Sequence, residues 1–172
     1  MSNPMISIVE VTRESMNPET LQALAELLVN VVDDGASIGF LPPFSFELAR
    51  AYWEEVLQPG VLLWIVKRDD AIVGTIQLQL AMKSNGSHRA EIAKVMVHTG
   101  YRKQGIARSL MLTAESRAKE VGRSLLVLDT REGDPSNLLY LSLGYTEAGR
   151  IPQYARSATG TLDGTVLYYK LV

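Results

Sequence analysis

The chain has 172 residues, 47% hydrophobic and 21% charged, with a net charge of −2 and a pI of about 5.7. The length fits one domain spanning residues 1–172, and the balance excludes extensive disorder. The slight negative charge argues against a nucleic-acid partner but permits a local basic spot for one small phosphorylated ligand, and the absence of cysteine, with only His88 and His98 as histidines, leaves no disulfide, no thiol nucleophile and no expected metal site.

The first residues lack a basic-then-apolar leader, and no apolar run reaches the ~20 residues of a membrane helix. A soluble cytoplasmic protein without a membrane partner is therefore expected. Ile6, Ile8, Glu10 and Thr12 alternate as in a strand. Asn17 stands before Pro18 as a helix cap, and Leu21, Leu24, Leu28, Val31 and Val32 follow at helical spacing until Gly35. Asp34–Pro43, with two glycines and two prolines, reads as a loop. Ser45 is placed to cap a second helix with Leu48, Tyr52, Trp53 and Val56 on its apolar face, ended by Pro59-Gly60.

Strands are expected over Val61–Lys67, Ile72 to about Met82, and Arg89–His98, joined by turns at Asp69-Asp70 and Ser84–Ser87. Alternation would put Glu91, Ala93, Val95 and Val97 on one face. A helix from about Gly105 to Val121 buries Ile106, Leu110, Ala114, Ala118 and Val121. Ser124–Thr130 is almost continuously apolar, as in a strand buried on both faces. A short helix after Pro135 and a last strand over Thr165–Leu171 complete an α/β domain on a mixed sheet, with a strand–helix–strand crossover in its second half.

Arg102, Lys103, Gln104, Gly105, Ile106 and Ala107 lie between a strand and a helix. A helix start carries unpaired backbone N–H groups and positive dipole potential, which together hold a pyrophosphate. Gly105 and Ala107 keep the approach low, while Arg102, Lys103 and Arg108 add charge. Taken alone, the segment reads equally as a basic helix cap. It lacks the Gly-Lys-Ser/Thr of a P-loop and the further glycines of a dinucleotide fingerprint.

In context, Glu91–Ala107 resembles the acetyl-CoA motif of the GNAT N-acetyltransferases, and Tyr140-Leu-Ser-Leu-Gly144-Tyr145 resembles that family's Tyr-x-x-Leu-Gly-Phe motif. Asp34–Phe40, Asn85–Glu91, Leu128–Thr130 and Pro152–Tyr154 are similar to segments of the tabtoxin-resistance branch of the family. The resemblance implies the GNAT fold, a mixed and mostly antiparallel sheet of six to seven strands flanked by about four helices. It implies acetyl-CoA as co-substrate, with no metal, and a small amine as acceptor.

It also implies roles for residues. Glu91 stands at the family's general-base position, where a carboxylate can take a proton directly or through water. Asp129 ends an apolar strand, where ligands of open α/β sheets bind, and carries an acidic catalytic or substrate-binding role. Tyr140 matches the motif tyrosine and can hydrogen-bond the departing thiolate. Gly133 stands where the family often has Asn. The backbone of Met96 and Val97 would hold the pantetheine arm and polarise the thioester. Ser37 and Phe40, facing Tyr154, would wall the acceptor site. Lys94 is expected to run its methylenes over apolar surface with its ammonium outside, without a role. The acceptor alternatives are a small toxin-like or antibiotic-like amine and a protein or peptide amine; a non-catalytic acyl-CoA sensor and a nucleotide-binding module are the other readings. A monomer and a homodimer both fit the sequence.

Overall fold

The computed structural model describes residues 6–172; the reading of Met1–Met5 lies outside them. The elements follow the order β1 (Ile6–Val11), α1 (Pro18–Asp33), α2 (Phe46–Glu54), β2 (Val61–Arg68), β3 (Ala71–Leu80), β4 (Arg89–Val97), α3 (Ile106–Glu120), β5 (Leu125–Arg131), α4 (Ser136–Ser142), β6 (Thr146–Arg156) and β7 (Leu162–Leu171). The strands form one seven-stranded sheet in the order β1-β2-β3-β4-β5-β7-β6. The β4–β5 pair is parallel and the other pairs are antiparallel. The α/β class and the strand count match the expectation.

Local chemistry sets the helices where the sequence places them. The Asn17 side chain accepts from the Thr20 N–H at 2.9 Å, and Pro18 needs no partner at the first helical position. Ser45 accepts from the Leu48 N–H at 3.2 Å. The α2 face differs from the expected one. Ala49 and Trp53 are fully buried, whereas Leu48 is 60% exposed. With Ala49 and Trp53 four residues apart on the inner face, Leu48 lies about 100° round the helix from Ala49 and meets solvent.

Two cores sandwich the sheet. On one face α3 and α4 pack Leu110, Met111, Tyr140 and Leu143 against Ile76, Leu78, Leu126 and their neighbours. On the other, α1 and α2 pack Leu24, Leu28 and Trp53 against Leu63 and Ile65. β2 therefore alternates between two buried sides, with Trp64 and Val66 in the first core and Leu63 and Ile65 in the second. β5 does not meet the expectation of burial on both faces. Leu126 and Leu128 are buried but Leu125 and Val127 are only half-buried, because the α1/α2 core takes no residue from β5, β6 or β7. Val121 is likewise half-buried, at the end of α3.

The expected single face for Glu91, Ala93, Val95 and Val97 is broken by a β-bulge. β3 and β4 pair Gln77 with Ala93 and then Thr75 with Met96, so β4 carries one extra residue. Lys94 absorbs it at φ 52°, in the left-handed region. Before the bulge, Ala90 and Ile92 face the α3 side; after it, Val95 and Val97 do. Glu91 therefore shares the α1/α2 face with Met96, not with Val97.

Leu110 is fully buried where α3 packs across β3 and β4, beside Gly74. Leu110→Ala should cost about 2–5 kcal/mol of stability, read as a lower urea midpoint at unchanged slope.

Candidate active site

β4 and β5 pair only over Arg89–Glu91 and Leu125–Val127. Beyond that point β4 runs on to Val97 and β5 to Arg131 with no pairing between them. The two strands therefore part as a wedge, and their facing edges carry backbone N–H and C=O groups free to bind something else. A cavity of about 540 Å³ occupies the wedge, walled by β4 from Glu91 to Val97 and by Asp129–Arg131. Its other walls come from both sides of the sheet: Ala36–Gly39 from the α1/α2 side, and Ser136 and Tyr140 from the α4 side.

Register places two carboxylates together. Glu91 pairs with Val127, and Asp129 lies two residues further along β5, so both point to the α1/α2 face. Partial burial raises the Glu91 pKa, and the Asp129 charge raises it further, while Lys94 pulls it down. Asp129 is held by Thr165, whose hydroxyl lies 3.0 Å from Oδ2. Thr165 is itself buried, on β7.

Tyr140 approaches from the opposite face. α4 buries it to 6% exposure between the Tyr145 and Tyr168 rings, whose centroids lie 6.0 and 5.9 Å away. Among the described residues its hydroxyl has no hydrogen-bond partner, and it lines the cavity. Burial, then Asp134 and Asp129, push its pKa well above the ordinary 10.0, so the O–H stays intact as a donor. Asn137 caps the turn instead, donating to the Arg131 and Asp134 carbonyls and accepting from Tyr168.

The loop before α3 forms the site's third part. Gly105 sits at φ 78° at the helix start, where no side chain caps the free N–H groups. A Cβ there would meet open space, so the glycine serves the left-handed backbone and leaves the approach clear. Lys103 also adopts a positive φ, 60°. Ile106 is buried and anchors the turn to the core, while Ala107 is half-buried. The cations diverge. Arg102 reaches Asp34 at 2.6 Å and lines the cavity; Arg108 donates to Ser142 at 2.6 Å; Gln104 accepts from Arg68.

Ser37 lines the cavity from the α1–α2 loop, Tyr154 from β6, and Met96 and Val97 from β4. Phe40 does not touch it. It stacks on Phe44 at 4.7 Å and Tyr52 at 5.2 Å, behind the wall. Lys94 departs most from expectation. Its ammonium points inward, where it donates to the Ile38 carbonyl and lies 5.3 Å from the Phe40 ring. Sequence reasoning also passed over Arg131, which donates to the Gly35 carbonyl at 3.1 Å and faces Asp134 and Asp163. Its position at the end of β5, two residues after Asp129, was the available signal.

Residues 24–145 match the Acetyltransferase (GNAT) family model, so the chain belongs to that family. It is an acetyl-CoA-dependent N-acetyltransferase. An N-acetyltransferase of Azospirillum brasilense, encoded in a hisH–hisA intergenic region, is 29% identical over 122 residues, covering 69% of this chain and 73% of that protein. Human N-acetyltransferase 8B is 29% identical over 106 residues, 60% of this chain and 45% of that protein. A Salmonella typhimurium acetyltransferase, solved with its cofactor acetyl-CoA, has the same fold at a TM-score of 0.78 and 17% identity, covering 96% of this chain and 93% of that one.

The shared face of Glu91 and Asp129 generates a titration prediction. The Glu91 carboxyl should titrate above its ordinary 4.5 by carbon-13 NMR. Asp129→Asn removes the neighbouring negative charge, so the Glu91 midpoint should fall.

Proposed function

We propose that the protein acetylates the amine of a small molecule by direct attack in a ternary complex, with the wedge as the meeting point. One observation carries this: the opening between β4 and β5 joins a face bearing Glu91 and Asp129 to a face bearing the Tyr140 hydroxyl. The β4 edge at Met96 and Val97 holds the pantetheine arm as an added strand, and a backbone N–H there polarises the thioester carbonyl. The helix start from Arg102 to Arg108 takes the pyrophosphate on its free N–H groups.

An amine of pKa ~10 is about a thousandth deprotonated at neutral pH. Glu91, directly or through water, takes the ammonium proton, with Asp129 beside it holding the cationic acceptor. The amine nitrogen bonds to the acetyl carbon as the carbon–sulfur bond breaks. Tyr140 donates a hydrogen bond to the departing sulfur. Its raised pKa suits stabilising a thiolate better than protonating it outright, and the net reaction releases one proton.

Ser37 and Tyr154 border the acceptor end, and Phe40 supports that wall from behind through Lys94. The segments similar to tabtoxin-resistance acetyltransferases favour an amine toxin or antibiotic, and hence a role in resistance. A cytoplasmic enzyme of one domain, residues 1–172, working as monomer or homodimer, belongs to the same reading.

Thiol release from acetyl-CoA, followed across a panel of small amines and peptides, tests it. The chain has no cysteine to raise the background. Turnover with a small amine is expected. Glu91→Gln should lower kcat/KM by about 10²–10⁴ and flatten its acid limb. Tyr140→Phe should lower kcat while the KM for acetyl-CoA holds. Turnover confined to peptides would contradict the small-molecule acceptor.

A further inference from the structure

Lys94 lines the cavity and takes no part in the chemical steps above, and its setting is unusual in four independent ways. It is a non-glycine residue in the left-handed region, at φ 52°, on the bulge of β4. Such a backbone costs about 1–2 kcal/mol for a residue with a Cβ, so something else holds it there. Its ammonium spans the cavity wall to donate to the Ile38 carbonyl at 2.5 Å, in the α1–α2 loop. It lies against two aromatic rings, 5.3 Å from the centroid of Phe40 and 5.9 Å from that of Tyr52. Finally, the loop is shaped to it: a Cβ on Gly39, itself at φ 94°, would come within 3.2 Å of the Lys94 Nζ.

The rings are fixed in turn. The Tyr52 hydroxyl accepts from Gln77 at 2.8 Å, and Gln77 is buried on β3 with Gln79 donating to its Oε1 at 3.1 Å. A polar chain thus runs from β3 through Tyr52 to Lys94 and on to the loop that borders the acceptor end. The same ammonium is the cation that draws the Glu91 pKa down. Its own pKa is lowered chiefly by burial, with the Asp129 and Glu91 carboxylates opposing that fall.

We propose that Lys94 is a positioning residue that straps the Asp34–Phe40 loop over the acceptor end of the wedge and sets its positive charge on the face of the cavity that carries Glu91. This rests on the catalytic reading of Glu91. The bulge is what makes both tasks possible, because it turns the Lys94 side chain to the same face as Glu91 and lets it cross to the loop. The other charged and titratable groups around Glu91 are accounted for. On β5 are Asp129 and Arg131; in the loop after α1 is Asp34, paired with Arg102; before α4 is Asp134; on β7 is Asp163; Tyr140 and Tyr154 close the sides. Arg102 and Arg131 face carboxylates of their own, which leaves Lys94 as the cation that acts on Glu91.

Lys94→Gly and Lys94→Met test this together. Glycine relaxes the left-handed backbone and keeps the bulge, so it separates the ammonium from the shape of the strand. Both variants should raise the KM for the acceptor amine about tenfold or more while the KM for acetyl-CoA holds. Both should move the acid limb of kcat/KM to higher pH, by about half a unit, since a carboxylate that loses a neighbouring cation binds its proton more tightly. Chymotryptic cleavage after Phe40 should accelerate about tenfold, a readout that needs no turnover. If no amine supports turnover in the wild type, the catalytic reading fails, and the cleavage rate alone decides the strap. A Lys94→Gly protein with wild-type cleavage after Phe40, or with wild-type acceptor KM and acid limb, overturns the proposal.

Discussion

The parting of β4 from β5 is the constraint on which the rest depends. Their parallel pairing ends at Glu91 and Val127, and the wedge beyond gives an otherwise continuous sheet both a hole and two unpaired inner edges. A continuous sheet would separate its faces. Here the faces communicate, so carboxylates from one side and a tyrosine from the other meet across a cavity of about 540 Å³. The α3 crossover keeps the strands parallel and places a helix start beside the gap, and Leu110 and Ile106 pin that helix to the core.

The wedge also explains the bulge. β4 must pair with β3 along its whole length while its other edge goes free. The extra residue at Lys94 reverses the alternation midway, giving Ile92 and then Val95 and Val97 to one core and Glu91 and Met96 to the opposite face. An unbroken strand would send Glu91 and Val97 to the same side, which is what simple alternation predicts. The strain of a left-handed lysine is offset by the contacts its ammonium makes.

Much of this was legible in the residues. Asn17 and Ser45 mark helix starts by the hydrogen bonds they make, and Gly105 marks the third by needing no side chain. The motif residues Glu91, Asp129 and Tyr140 converge on one cavity. Where reading failed, the reason is physical. β6 is exposed along nearly its whole length and contains Gly149 and Pro152, so it has no apolar alternation to betray it. The bulge is hidden because residues 92–97 are apolar on either side of Lys94. Phe40, a candidate for the acceptor wall by its place in the loop after α1, packs inward because Phe44 and Tyr52 offer it a partner surface. Lys94 and Arg131 gain their places from long-range contacts with Ile38 and Gly35, which no local pattern encodes.

We propose that the free edge of β4 receives the pantetheine arm as an added strand. Residue-resolved amide hydrogen exchange with and without CoA tests it most directly. Amides within 93–97 on β4 and at the start of α3 should become strongly protected when CoA binds, with β2 unchanged. CoA binding that leaves the β4 amides exchanging as before would contradict it.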